Sequence, residues 1–131
     1  MKLRIKGNSL RLRLGRSEVR RLATEGIVEE LTMFGPGNQL SYALVSSADE
    51  SRITATFVGS RIIICAPANV VAQWAVTDQV GMRAVQDAGK RDLEILIEKD
   101  FECMETAEGE SQEDSFPRAE LSTGACPTPF N

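Results

Sequence analysis

A pattern of short apolar stretches occurs twice in this chain, 52 positions apart. Leu3 and Ile5 correspond to Ala55 and Phe57, Gly7 to Gly59, and Leu10, Leu12 and Leu14 to Ile62, Ile64 and Ala66. Val19, Leu22 and Ala23 then correspond to Val71, Trp74 and Ala75, and Val28 to Val80. Positions 3, 5, 10, 12 and 14 alternate with the period of two that marks half-buried strands. Positions 19, 22 and 23, like 71, 74 and 75, have the i, i+3, i+4 spacing of one helical face. Ser17 and Asn69 are both N-cap types, and Gly26 stands where a left-handed residue commonly ends a helix. A strand, turn, strand and helix recurring at a fixed offset point to an internal duplication.

The rest of each copy reads as a second strand pair. Residues 27–34 and 39–46 flank the turn Gly35-Pro36-Gly37-Asn38, and residues 80–86 and 93–98 flank Asp87-Ala88-Gly89-Lys90. The polar run 46–52 is the expected linker between copies, and Pro67 suits a helix start. Each copy, about 1–47 and 53–99, is therefore predicted to be β-β-α-β-β. The expected fold class is α+β, a mainly antiparallel sheet (barrel-like or two-layer) with two short helices. Length and composition predict one globular domain over 1–104, followed by an acidic, disordered tail over 105–131. Phe116-Pro117 is an apolar island in that tail, suited to docking on the body or on a partner.

Charge is unevenly distributed. The net charge is −4, but Lys2, Arg4, Lys6, Arg11, Arg13, Arg16, Arg20 and Arg21 face only Glu18 within the first 21 residues. From Glu98 to Glu120 nine acids stand against Lys99 and Arg118. A turn at Asn8-Ser9 would set Lys6 opposite Arg11 and Arg4 opposite Arg13 on the outer side of the first hairpin. Like charges directly opposed destabilise a ladder by a few tenths to ~1 kcal/mol per pair. Arg4, Lys6, Arg11 and Arg13 are thus the candidate anion-binding residues, for an anionic ligand, an acidic protein segment or the chain's own tail. In the second hairpin the same face carries Val58, Ile63 and Cys65. That face is expected to be buried in a central hairpin or to form a homodimer interface.

Several chemistries lack their residues. Histidine is absent, which removes the usual general base, the Ser-His and Cys-His nucleophiles and the commonest zinc ligand. No Gly-rich phosphate loop and no cofactor motif is present. Cys103 with Glu105, Glu108 and Asp114 is a weak metal set. The acidic balance makes nucleic acid an unlikely partner. The most apolar run, residues 62–76, is too short to span a bilayer. Strand-like alternation after Met1 and three scattered cysteines predict a soluble cytoplasmic protein with reduced thiols.

Glu98-Lys99-Asp100-Phe101-Glu102-Cys103, followed by Glu113-Asp114-Ser115-Phe116-Pro117, resembles a motif of small bacterial proteins of an uncharacterised family. That resemblance implies no activity and no functional residues. A duplicated β-rich unit with opposed basic and acidic side chains is also similar to triphosphate-tunnel phosphohydrolases, which hold polyphosphate and metal inside an antiparallel barrel. Their first strand alternates glutamates, whereas here it reads Lys2-Leu3-Arg4-Ile5-Lys6. The sequence therefore favours a small non-catalytic binding module with a basic N-terminal hairpin. The alternative is a metal-dependent phosphohydrolase-like enzyme acting on a polyphosphate or nucleotide.

Overall fold

The computed structural model describes residues 1–101 and Phe116. Strands β1 (Lys2–Lys6) and β2 (Ser9–Leu14) form a hairpin, followed by helix α1 (Arg16–Glu25). Strands β3 (Ile27–Gly35) and β4 (Asn38–Ser47) form a second hairpin, and β5 (Thr54–Val58) with β6 (Arg61–Pro67) a third. Helix α2 (Ala68–Val76) leads to the last pair, β7 (Gly81–Asp87) and β8 (Asp92–Lys99). The order β-β-α-β-β thus runs twice along the chain.

The strands make two open four-stranded sheets, β1-β2-β8-β7 and β3-β4-β6-β5, so the fold is α+β with no closed barrel. Neither sheet belongs to one half of the chain. The first hairpin of each half joins the second hairpin of the other, through a central parallel pair, β2 with β8 and β6 with β4. The outer pairs are all antiparallel. Leu12 pairs with Ile97 in one sheet as Ile64 pairs with Leu44 in the other.

One core lies between the inner faces. Leu12, Leu14, Ile95 and Ile97 come from the first sheet, Leu44 and Ile64 from the second, and Val19, Leu22, Val71 and Trp74 from the helices. All are essentially inaccessible to solvent. Fully burying a side chain of this size contributes ~1.5–3 kcal/mol, which is why the apolar alternation reads so clearly in both hairpins. Along one side the Gln86 amide ties the sheets together, accepting from Ala55 N at 2.7 Å and donating to Ala55 O at 2.9 Å.

Local details depart from the sequence reading in instructive ways. The first turn is Gly7-Asn8, with Gly7 at φ +55°, so Lys6 faces Ser9 and Arg4 faces Arg11. The register thus slips by two residues, which preserves the face of every side chain. Ser17 and Asn69 are not caps but lie inside their helices, whose N-caps are Gly15 and Pro67. At α1 the Glu18 carboxylate accepts from Gly15 N at 2.9 Å, the acidic half of a capping box. Gly26 does end α1 in the left-handed conformation, φ +85°, donating to Leu22 O at 3.0 Å. Val80 is not the counterpart of Val28: it is exposed in the loop before β7, while Met82 takes the buried role. Extra residues between α2 and β7 cause that drift. No helix among the described residues is long and apolar enough to cross a membrane.

Candidate functional site

Strand register assembles a basic row on the outer face of the first sheet. Arg4 pairs with Arg11, Arg11 with Leu96, and Leu96 with Arg83. The flanking rows run Lys2, Arg13, Glu98, Gly81 and Lys6, Ser9, Glu94, Val85. Side chains of one strand parity all point to one face, so six cations and two acids share this surface. All four residues expected to bind an anion lie on it.

The four differ in how they are compensated. Arg11 Nε lies 2.5 Å from Glu98 Oε1, and Arg13 Nε 3.7 Å from the same oxygen. Lys2 reaches Asp100 at 3.3 Å, and Arg83 reaches Glu94 at 2.6 Å. Among the described residues the Arg4 and Lys6 side chains make no ion pair and no hydrogen bond. They border an open hollow of about 440 Å³ together with Arg11 and Arg83. The half-buried Glu98 therefore relieves the repulsion at the centre of the sheet, while Arg4 and Lys6 at the β1 edge have no carboxylate partner among the described residues.

Part of this could not be read from sequence. Among the described residues the relieving carboxylates Glu94 and Glu98 come from β8, and they arrive through a parallel pairing that local periodicity does not reveal. Arg83 reaches the row by the same route. The proposed covering of this face by the acidic tail falls outside the described residues, as do Cys103, Glu105, Glu108 and Asp114. Among the described residues no three His, Cys, Asp or Glu side chains cluster as a metal set would.

The Glu98-Lys99-Asp100-Phe101 stretch is where strand β8 leaves the sheet, and each residue has a distinct contact. Lys99 is buried, and its ammonium donates to Thr77 O at 2.7 Å. It lies 5.8 Å from the Trp74 ring centre and 5.4 Å from that of Phe116. Burial pushes its pKa below the ordinary lysine value, partly opposed by the Asp78 carboxylate. Asp100 N donates to Leu14 O at 2.8 Å, and its carbonyl accepts from Phe116 N at 2.7 Å. Phe101 and Phe116 pack with ring centres 5.9 Å apart. Phe116 thus docks on the body of the chain.

The second sheet presents a different outer face. Strand β5 is an edge, not a central strand, and Val58 is 78% exposed. Ile63 and Cys65 are half-buried among their strand neighbours. Burial, then the nearby Glu50 carboxylate, raises the Cys65 thiol above its usual pKa. The two open sheets also correct the resemblance to tunnel phosphohydrolases, since no barrel encloses a tunnel.

No curated protein and no solved structure is detectably similar to this chain. Its sequence does match one family over residues 1–120, most of its length, and that span contains both hairpins of the basic sheet and the Phe101–Phe116 contact. The chain therefore belongs to the family of unknown function DUF7009.

Proposed function

We propose that this protein is a small non-catalytic binding module whose first sheet captures an anionic group on its outer face. The observation that carries this reading is the pair Arg4 and Lys6. Both are cations without a partner among the described residues, at the rim of a hollow whose other cations already have carboxylates. A phosphate or carboxylate placed there would gain charge-assisted hydrogen bonds, which are roughly twice as strong as neutral ones. A bidentate oxyanion fits the planar fork of Arg4, with Lys6 as an adjacent point charge.

The fold that supports this face is read as one β-β-α-β-β unit written twice. The matched registers Leu12–Ile97 and Ile64–Leu44 support that reading. On this view the basic face and the apolar face of Val58, Ile63 and Cys65 are the same surface in two copies that diverged. A cytoplasmic setting accords with the scattered cysteines.

The test is a comparison of wild type with Arg4→Glu/Lys6→Glu in binding inorganic pyrophosphate and a short polyglutamate peptide. Wild type should bind at least one of them in a salt-sensitive manner, and the reversal should abolish it. Equal binding by both proteins would dismiss the reading.

A further inference from the structure

The two sheets are built alike but turn unlike faces outward. On the first, register gathers six cations and two acids. On the second, one row sets Leu31 beside Ser41, Arg61 and Val58, and the next sets Glu29 beside Ala43, Ile63 and Thr56. A third row holds Val45 and Cys65. These side chains point away from Ile62 and Ile64, which belong to the core. Leu31 is 54% exposed, Met33 60% and Val58 78%. A sheet with one face in water ordinarily carries polar side chains there. This face instead offers a contiguous apolar surface, the mark of an interaction site.

Its charges are few and balanced. Of the strand residues in these rows Glu29 and Arg61 are charged, and Arg61 Nη2 lies 2.9 Å from Glu29 Oε2. Glu50 is close enough to Cys65 to act on its thiol, but it belongs to the loop before β5. Both members of the pair remain 43% exposed, beside a hollow of about 300 Å³ that Ser41 and Ser60 also line. The hollow leaves room for a further carboxylate to approach Arg61.

We infer that this face is the contact surface of a two-fold homodimer, each copy laying its β3-β4-β6-β5 sheet on that of the other. Charge selects the occupant. In a two-fold interface residue i meets j while j meets i, so a patch with one cation and one anion complements itself. Arg61 of each copy then faces Glu29 of the other, whereas an anionic or a cationic partner would set a like charge against one of the two. Area agrees. Four strands ~4.8 Å apart and about seven residues long, the length of β6, make a face of roughly 450 Å² in plan. Doubled across two copies, with the relief of the side chains added, it reaches the ~1,000 Å² that a specific interface needs. An interface at that lower bound is reversible, with a dissociation constant in the micromolar range. This inference is independent of the anion site, which lies on the other sheet.

The experiment is analytical ultracentrifugation of the full chain over a concentration series, with circular dichroism of each variant to confirm its fold. Wild type should show a reversible monomer–dimer equilibrium. Leu31→Asp and Val58→Asp, both at exposed positions outside the core, should each raise the dissociation constant on the order of tenfold. Arg61→Glu, which leaves two acids on each face, should weaken the dimer similarly, and Glu29→Arg/Arg61→Glu should restore it. Arg4→Glu/Lys6→Glu should leave it unchanged, so that failure of the anion-binding reading shows separately. A wild type that stays monomeric at the highest concentration reached overturns the inference. So does a dimer indifferent to Leu31→Asp and Val58→Asp, which would place the contact elsewhere. A dimer weakened by those two but equally by Arg61→Glu and the double exchange would overturn the pairing of Arg61 with Glu29 across the two-fold.

Discussion

The ammonium of Lys99 lies between two rings, 5.8 Å from the centre of Trp74 and 5.4 Å from that of Phe116. One ring belongs to a core helix and the other to a residue well beyond the last strand. The contact is where the chain after β8 is held against the body, reinforced by the bond from Phe116 N to Asp100 O. Cation–π contacts contribute ~0.5–2 kcal/mol according to how far they are desolvated. Phe116→Ala should therefore lower stability by about 1–2 kcal/mol, measured as the urea midpoint, without altering the helix and strand signature in circular dichroism.

The same lysine sets a dependence on pH. Its folded pKa lies below the ordinary 10.5, so the unfolded chain holds the proton more tightly. Stability attributable to Lys99 therefore rises with pH through the alkaline range between its folded pKa and 10.5, as the folded state sheds a proton that it disfavours. Tyr42 and Cys65, both raised, act in the opposite sense over that range. The difference between wild type and Lys99→Met isolates the effect. It should move in favour of wild type as pH increases, in chemical denaturation at a series of alkaline pH values.

Glu98 holds the basic sheet together electrostatically. It serves Arg11 and Arg13 at once, and with Asp100 beside Lys2 it offsets a face that would otherwise stack like charges across three strands. Glu98→Gln should cost about 1–2 kcal/mol, since the arginines keep their positions and lose their counter-charge. The deficit should shrink as sodium chloride screens the repulsion. Thermal melts of both proteins across a salt series will show the two curves converging.

Cys65 is a half-buried thiol on the apolar outer face of the second sheet. Its raised pKa keeps the thiolate fraction small near neutrality. In a Cys103→Ser/Cys126→Ser background, Cys65 should react with iodoacetamide several-fold more slowly than a cysteine in a short unstructured peptide at the same pH. Denaturant should remove the difference.

How much of this was legible depended on the range of the interactions involved. The strands and helices come from alternation and i, i+3, i+4 spacing, which are local, and the order β-β-α-β-β follows from them. The exchange of hairpins between sheets does not, because nothing in Leu10–Leu14 says that its partner is Ile95–Lys99 rather than Leu40–Leu44. Two-residue turns were misplaced at Asn8-Ser9 because Gly7 and Asn8 both suit a tight turn. The positive φ of Gly7 decides the matter. The Ser17 and Asn69 caps failed for a related reason. Each helix starts straight from its strand, with Gly15 or Pro67 at the junction. Arg4, Lys6, Arg11 and Arg13 were legible as one basic face because parity survives the register slip. Which of them are compensated was not, since Glu98 reaches them through a pairing 87 residues away in sequence.

The central claim is that Arg4 and Lys6 form an anion site on the open face of the first sheet. The direct measurement is a titration of the isotope-labelled protein with inorganic pyrophosphate, followed by amide NMR. Saturable shifts confined to β1, the Gly7-Asn8 turn, Arg11 and Arg83, and lost in Arg4→Glu/Lys6→Glu, are the predicted result. Shifts scattered over the surface, or identical in the charge-reversed protein, would contradict it.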